Sequence, residues 1–324
     1  SVLRGLQITN KAGVSSLRAD VIIDATGDAD VAHLAGAPCD IGRPSDGGVQ
    51  PLTLMFKLTH VDNDALRAYT ASHLEETCLD ETQIARYLSQ SLNKNAGFAK
   101  KLRARLDDGQ PITQRSDLLF FNTNHPDEVI VNSTRVAGVD PLDPWALSEA
   151  ENTAREQVFG LLEFFRQEIP GFANCRLGAV GTRIGVRESR RVRGEYTLTA
   201  ADILEQRRFP DSIAQCAYPI DIHAVKAGEA EFSTHAYHGE TFDLPYRCLV
   251  PLETEQLLIA GRCVSATHEA QAAIRTSPTC MAMGQAAGAA VVQALREEVP
   301  PRQINIDILR RSLLKQGVLL GDER

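Results

Sequence analysis

Apolar and polar positions alternate most clearly over Pro51 to His60, where Leu52, Leu54, Phe56 and Leu58 interleave with Thr53, Met55, Lys57 and Thr59. A period of two predicts a half-buried strand with one solvated or ligand-facing side. A different rhythm follows Asp143-Pro144: Leu147, Ala150, Ala154, Val158, Leu161, Leu162 and Phe165 recur at helical spacing until Ile169-Pro170-Gly171. That pattern predicts a long helix whose apolar stripe is core. Residues 62–107 read as mostly helical and polar, with breaks at Gly97 and Gly109. Leu118 to Asn122 and Val129 to Val136 flank His125-Pro126-Asp127-Glu128 as a hairpin.

The two ends of the chain carry a different pattern. Residues 1–23 read as a hairpin turning at Asn10 to Gly13, and Val21-Ile22-Ile23 runs into Asp24-Ala25-Thr26-Gly27-Asp28. Near the other end, the apolar run Leu257-Leu258-Ile259-Ala260 is broken by Gly261 and followed by Arg262. Strands that end in small-residue turns let a ligand approach the backbone, and open α/β sheets place ligands at that edge. Ser277-Pro278 predicts the cap and first turn of a helix rich in small residues, Ala282 to Ala290, with glycines at 284 and 288. Each mid-helix glycine costs roughly 1 kcal/mol against alanine, so close approach of a backbone or a flat ligand is expected there. The helix start suits an anion. Residues 36–50 read as a loop, Thr199 to Asp202 as a capping box, and residues 304–314 as a short amphipathic packing helix.

Composition narrows the field. The chain has 324 residues, 43% hydrophobic and 23% charged, which fits one large domain or two medium ones. A net charge of -8 argues against a nucleic-acid surface. No apolar run reaches the ~20 residues that span a bilayer. Seven cysteines without a CxxC suggest reduced thiols in a cytoplasmic protein. The chain opens on Ser1 and its first methionine is Met55, so we expect it to begin within a larger protein.

Candidate chemistry lies in three places. Five arginines fall between Arg183 and Arg193 of an acidic chain, and arginine suits bidentate contacts with carboxylate or phosphate. Tyr218-Pro219-Ile220-Asp221-Ile222-His223 places Asp221 and His223 on one face of a strand, where they can ligate a metal or shuttle protons. His268 follows the Ala260-Gly261-Arg262 turn closely, and Cys280 near a helix start is expected to have a lowered pKa. Neither GxGxxG nor GxxxxGK[ST] occurs.

Four blocks in order carry a resemblance: DATGDAD, GVRESRRVRGEY, YPIDIH and AGRCVSATHEA with PTCMAMGQAAG. In these the chain resembles the FAD-dependent oxidoreductase family. The resemblance implies an α/β, glutathione-reductase-like FAD-binding fold with an inserted α+β substrate domain. It implies a discontinuous FAD-binding domain over 1–45 and 245–324, and a substrate domain over 46–244. The family's opening βαβ unit with GxGxxG, and its ribose-binding acidic residue, have no counterpart here. The fold is thus expected to be incomplete at the front, FAD binding by the chain alone to be weak or absent, and a separate chain to be a candidate partner carrying that unit.

Carried over residue by residue, the resemblance assigns cofactor binding to Ala25, Thr26, Gly27, Asp28, Gly261, Arg262, Gly284, Gln285 and Ala286. The expected reaction is hydride transfer between a small-molecule substrate and flavin. His268 is the first candidate base, with His223 and Tyr246 next. Arg187 and Arg190 are assigned to a substrate carboxylate or the cofactor phosphates, which makes an anionic substrate a candidate. Two other classes compete: a metal-dependent hydrolase using Asp221, His223 and His235 or His238, and a non-catalytic subunit without flavin.

Overall fold

The computed structural model describes residues 1–90, 92–107, 112–223, 232–233 and 240–321. The described residues form two compact units, one of Ser1–Gln50 with the described residues from Arg187 onward, the other of those within Pro51–Val186. The expected boundary near residue 245 therefore falls at 186/187. The reason is strand pairing: the segment after Arg187 pairs with residues near both chain ends, a long-range choice that local pattern does not encode.

The first unit opens with an antiparallel hairpin, β1 (Gly5–Asn10) and β2 (Gly13–Arg18), with Asn10 opposite Gly13. The second arm ends earlier than expected. Ile22 and Ile23 leave it and form β3 (Ile22–Asp24), which leads into α1 (Asp30–Leu34). β4 (Cys39–Ile41) lies within the stretch read as loop, because Arg190–Val192 later pairs with it.

In the second unit, β5 (Phe56–Thr59) buries Phe56 and Leu58 as the alternation predicts. Helices α2 (Asn63–Ser72), α3 (Glu81–Leu88) and α4 (Ala99–Asp107) follow. The strand β6 (Lys94–Gly97) interrupts a stretch expected to be mostly helical, and Gly97 closes it; Gly109 lies outside the described residues. The hairpin β7 (Leu118–Asn122) and β8 (Val129–Val131) pairs Asn122 with Val129. The helix α5 (Pro144–Glu168) starts where expected, capped by the Asp143 carboxylate with Pro144 in its first turn. After β9 (Arg176–Val180) the sheet is complete, antiparallel throughout, in the order β6-β7-β8-β5-β9. The rings of Phe120, Phe165 and Phe172 meet at 4.8–5.6 Å between centroids in this unit's core.

The chain then returns to the first unit. β10 (Arg190–Val192) pairs with β4, and α6 (Ala200–Leu204) starts in the expected capping box between Thr199 and Asp202. β11 (Ser212–Cys216) pairs with β14 (Phe242–Pro245), and β12 (Asp221–Ile222) with β13 (Phe232–Ser233). β15 (Leu257–Ile259) lies parallel to β3, with Ile259 opposite Asp24. Leu257 and Ile259 face one apolar cluster and Leu258 another, so the strand is buried on both sides and reads as an unbroken apolar run. Last come α7 (His268–Ile274), α8 (Ser277–Glu297) and α9 (Ile306–Lys315). Thr276, one residue earlier than expected, occupies the cap position of α8, and its hydroxyl lies 3.3 Å from that of Thr279.

The architecture is mixed α/β. No described helix is long and apolar enough to cross a membrane. All seven cysteines are free.

Two consequences can be measured. Phe165→Ala should lower the stability of the second unit by about 3–5 kcal/mol, because three packed rings leave a hole that cannot close; a urea titration would check it, and a shift under ~1 kcal/mol would mean the site collapses freely. Burial raises the thiols of Cys216 and Cys263 from 9.0 to about 12, and the Tyr87 hydroxyl from 10.0 to about 12. These groups stay neutral in the native state while the unfolded chain ionises first. Their stabilisation is thus whole below pH 9 and lost as pH rises towards 12. The denaturation midpoint should fall between about pH 8 and about pH 10.5; a flat profile would contradict the assignment.

Candidate active site

Two turns leave the same end of adjacent parallel strands. The first follows β3. The Asp24 carboxylate is buried and folds the turn over itself: it accepts from the Thr26 amide at 3.0 Å, the Thr26 hydroxyl at 2.7 Å and the Ala32 amide at 2.9 Å. Ala25 and Thr26 are left exposed. Gly27 has φ +83°, and a Cβ there would strike the Arg262 guanidinium, so the arginine itself requires this glycine. The second turn follows β15. Gly261 has φ +95° and open space where a Cβ would stand. Arg262 crosses back to Asp28 at 2.6 Å. Asp28 also accepts from the Ser189 hydroxyl at 2.5 Å. The sequence-predicted residues Ala25, Thr26, Gly27, Asp28, Gly261 and Arg262 thus converge, as expected at the carboxyl edge of parallel strands.

A second cluster adjoins the first through the next residues of the same run. Glu188 is fully buried, and its carboxylate holds three partners. Oε1 meets Nδ1 of His268 at 2.9 Å and also receives the Arg191 guanidinium, while Oε2 accepts the Gln50 amide at 3.1 Å. Arg191 spends its remaining donors on the carbonyls of Ala266 at 3.0 Å and Gly42 at 2.8 Å. His268 is 3% exposed and opens α7, whose cap is the Thr267 hydroxyl. One turn on, Gln271 donates to the carbonyls of Arg187 at 2.9 Å and Arg262 at 3.3 Å, tying α7 to both runs.

A buried carboxylate is tolerated only when paired and hydrogen-bonded, and Arg191 supplies the charge. An ionised carboxylate only accepts, so the His268 Nδ1 must donate to it; in the neutral ring that tautomer puts the lone pair on Nε2. Glu188, Gln50 and Gln271 were not picked out from the sequence. The spacing of Glu188 and Arg191 was the available signal, hidden among arginines that all looked alike.

Other predicted residues fall elsewhere. Arg190 reaches the Asp28 carbonyl at 3.0 Å and Asp30 at 2.9 Å, so it holds α1. Arg193 pairs with Asp40 on the surface. Tyr246 is removed as a base: it is buried, its hydroxyl donates to the Pro301 carbonyl at 2.9 Å, and burial pushes its pKa up. Ala286 is fully buried in the core and has no surface to offer a ligand. Gly284 and Gln285 are exposed, and no atom stands within 4 Å of a Cβ placed at 284. They line a cavity of about 460 Å³ between α8 and α9, away from the helix start. Cys280 is corrected in sign: burial raises its thiol pKa, and the lowering by Arg262 and Arg275 is the smaller effect.

Asp221 and His223 do lie together, with His223 Nε2 3.5 Å from the Asp221 carboxylate, and the Tyr218 hydroxyl reaches that same oxygen at 3.4 Å. Among the described residues, no group of three or more His, Cys, Asp or Glu is arranged to hold a metal ion. His235 and His238 lie outside the described residues.

Comparison with family models matches residues 1–313 to FAD dependent oxidoreductase. The chain belongs to that family. No curated protein and no solved structure matched in the two other comparisons. Against a flavin oxidoreductase, the twin turns fit in part. Gly261 leaves room at the strand edge, and among the described residues the buried Nε of Arg262 has no hydrogen-bond partner. A dinucleotide carries acceptor oxygens that would satisfy it. Ala286 does not fit the role expected for it.

In this oxidoreductase Glu188→Gln should be among the most damaging conservative changes. It leaves Arg191 buried without a counter-charge, a loss of about 3–5 kcal/mol for a broken buried pair. Arg193→Ala should leave the denaturation midpoint essentially unmoved, since its partner is exposed. Equal effects from the two would show that Glu188 is not the keystone of the cluster.

Proposed function

We propose that the chain oxidises or reduces a small molecule with FAD bound at the twin turns, and that His268 is its general base. The observation that carries this is the bond from His268 Nδ1 to a carboxylate already neutralised by Arg191. Because the Glu188–Arg191 pair is electrically balanced, the imidazole need not be protonated to satisfy it. Nδ1–H donates, the ring is held by α7, and Nε2 is free in valence to take a proton. Once it does so, the Glu188 carboxylate at 2.9 Å stabilises the imidazolium.

FAD, when bound, supplies the two-electron acceptor for a hydride from a substrate C–H. The chain's own residues do the rest. Arg262, anchored by Asp28, holds its guanidinium over Gly27 at the strand edge; Gly261 leaves the space; exposed Ala25 and Thr26 offer backbone. His268 takes the proton that departs from the adjacent oxygen or nitrogen of the substrate as its bond becomes double. Run in reverse, the same nitrogen returns the proton.

His268→Ala should slow flavin reduction by roughly 10²–10⁴-fold, the usual contribution of a general base. Flavin content, read from the visible spectrum, should not change. Anaerobic stopped-flow mixing with a reducing substrate found by screening would measure the rate. An unchanged rate would remove His268 from the chemistry, and His223 would be the next histidine to replace.

A further inference from the structure

The short helix α7 is buried along nearly its whole length, yet it carries a stripe of polar side chains. His268, Gln271 and Arg275, its C-cap, are spaced by three and four residues and so share one face. The first two are explained by the Glu188 network. Arg275 is not. Its guanidinium is largely enclosed, and among the described residues no carboxylate lies within 4.0 Å of it. Its one hydrogen bond is a long contact of 3.5 Å to the Gln50 side chain. Its Nε is buried and, among the described residues, has no partner. Burial pulls its pKa down, partly offset by Asp221, Tyr218, Glu188 and Cys280 around it. A cation kept in such a place without a counter-charge is costly to the fold.

We propose that Arg275 is the substrate-specificity residue of this enzyme, and that it takes a carboxylate group of the substrate in a two-pronged contact. Gln50 links the guanidinium to the catalytic cluster: its side chain amide donates to Gln271 at 3.3 Å, and its backbone amide donates to Glu188. Seven residues of helix separate the Cα atoms of His268 and Arg275 by about 10 Å, a span that the two side chains and a molecule of a few carbons fill. Asp221, one of the acids around it, is engaged by the Tyr218 hydroxyl and His223 and is not within ion-pair reach of Arg275. A planar guanidinium whose two terminal nitrogens hold, among the described residues, only that one long contact is the fork that matches a carboxylate. The assignment replaces Arg190, which is spent on Asp30. It rests on the reading of His268 as the base only for the orientation of the substrate, not for the binding itself.

A cofactor phosphate could use the same chemistry, so the test has two arms. Acetate, malonate and succinate, each beside its neutral amide, are titrated by calorimetry into the wild-type protein, Arg275→Met and Arg275→Lys, and flavin content is measured in all three. At least one acid should bind the wild type better than its amide. Arg275→Met should weaken that acid by roughly 10–100-fold, the worth of a charge-assisted contact. Arg275→Lys should lie between, keeping the charge but not the fork. Flavin content should be equal, and ligand-free Arg275→Met should unfold at the wild-type temperature or above it, as a merely structural arginine would not allow. No preference for any acid over its amide would overturn the proposal, and so would acid binding that survives in Arg275→Met. Loss of flavin with acid binding intact would assign the arginine to the cofactor instead. If Arg275→Met does not fold, wild-type affinity in Arg275→Lys is the overturning result. His268→Ala should still bind the acid, so failure of the base and failure of the carboxylate site are read separately.

Discussion

The first unit depends on one buried carboxylate. Glu188 has no contact with water; one of its three partners, Arg191, is a near neighbour in the chain, and the other two, residues 50 and 268, come from distant parts of it. Each partner is itself fixed. Arg191 closes on the carbonyls of Gly42 and Ala266, and His268 starts a helix. Desolvating a carboxylate costs several kcal/mol, and only a complete set of donors offsets it. The constraint therefore runs outward from the charge. The Glu188 site is satisfied only when loop, strand and helix are all in place, which makes the arrangement of His268 a by-product of stability.

The same run of residues sets the second cluster. Ser189 and Arg190, the next two residues, hold Asp28 and Asp30. Asp28 in turn anchors Arg262 above Gly27. Four consecutive residues thus fix the base on one side and the twin turns on the other. A mutation anywhere in 188–191 should disturb both, and for that reason activity alone would misreport what each residue does. Stability, flavin content and rate have to be separated.

Much of this fold was legible in the sequence where the signal is local. The alternation at 52–58, the Asp143-Pro144 start of α5, the Thr199 capping box and the hairpin turn at 122–129 are each written within a dozen residues, and each is present. The two turns at the strand edge were legible because small residues after an apolar run have few other uses. What was not legible is pairing at a distance. The strand 39–41 exists because 190–192 pairs with it, and the same pairing moves the unit boundary. Glu188 could not be distinguished from any surface glutamate until His268 arrived from 80 residues away and Gln50 from 138.

The small-residue helix shows where inference from composition fails. Glycine at 284 and 288 predicts close approach of a backbone or a flat ligand, since glycine in a helix is costly. Their free space is real, but it opens onto α9 rather than onto the twin turns. The alanines at 286, 287 and 290 face the core and allow close packing there. Small residues therefore report only that something comes near, not what. Polar residues in a buried helix say more, because each must be answered by a specific group. On α7, Gln271 is answered by two carbonyls and His268 by Glu188, both within the chain. Arg275 stands on the same face with Nε unanswered, and a binding site for a substrate is most economically sought where the protein has left a charge for another molecule to complete.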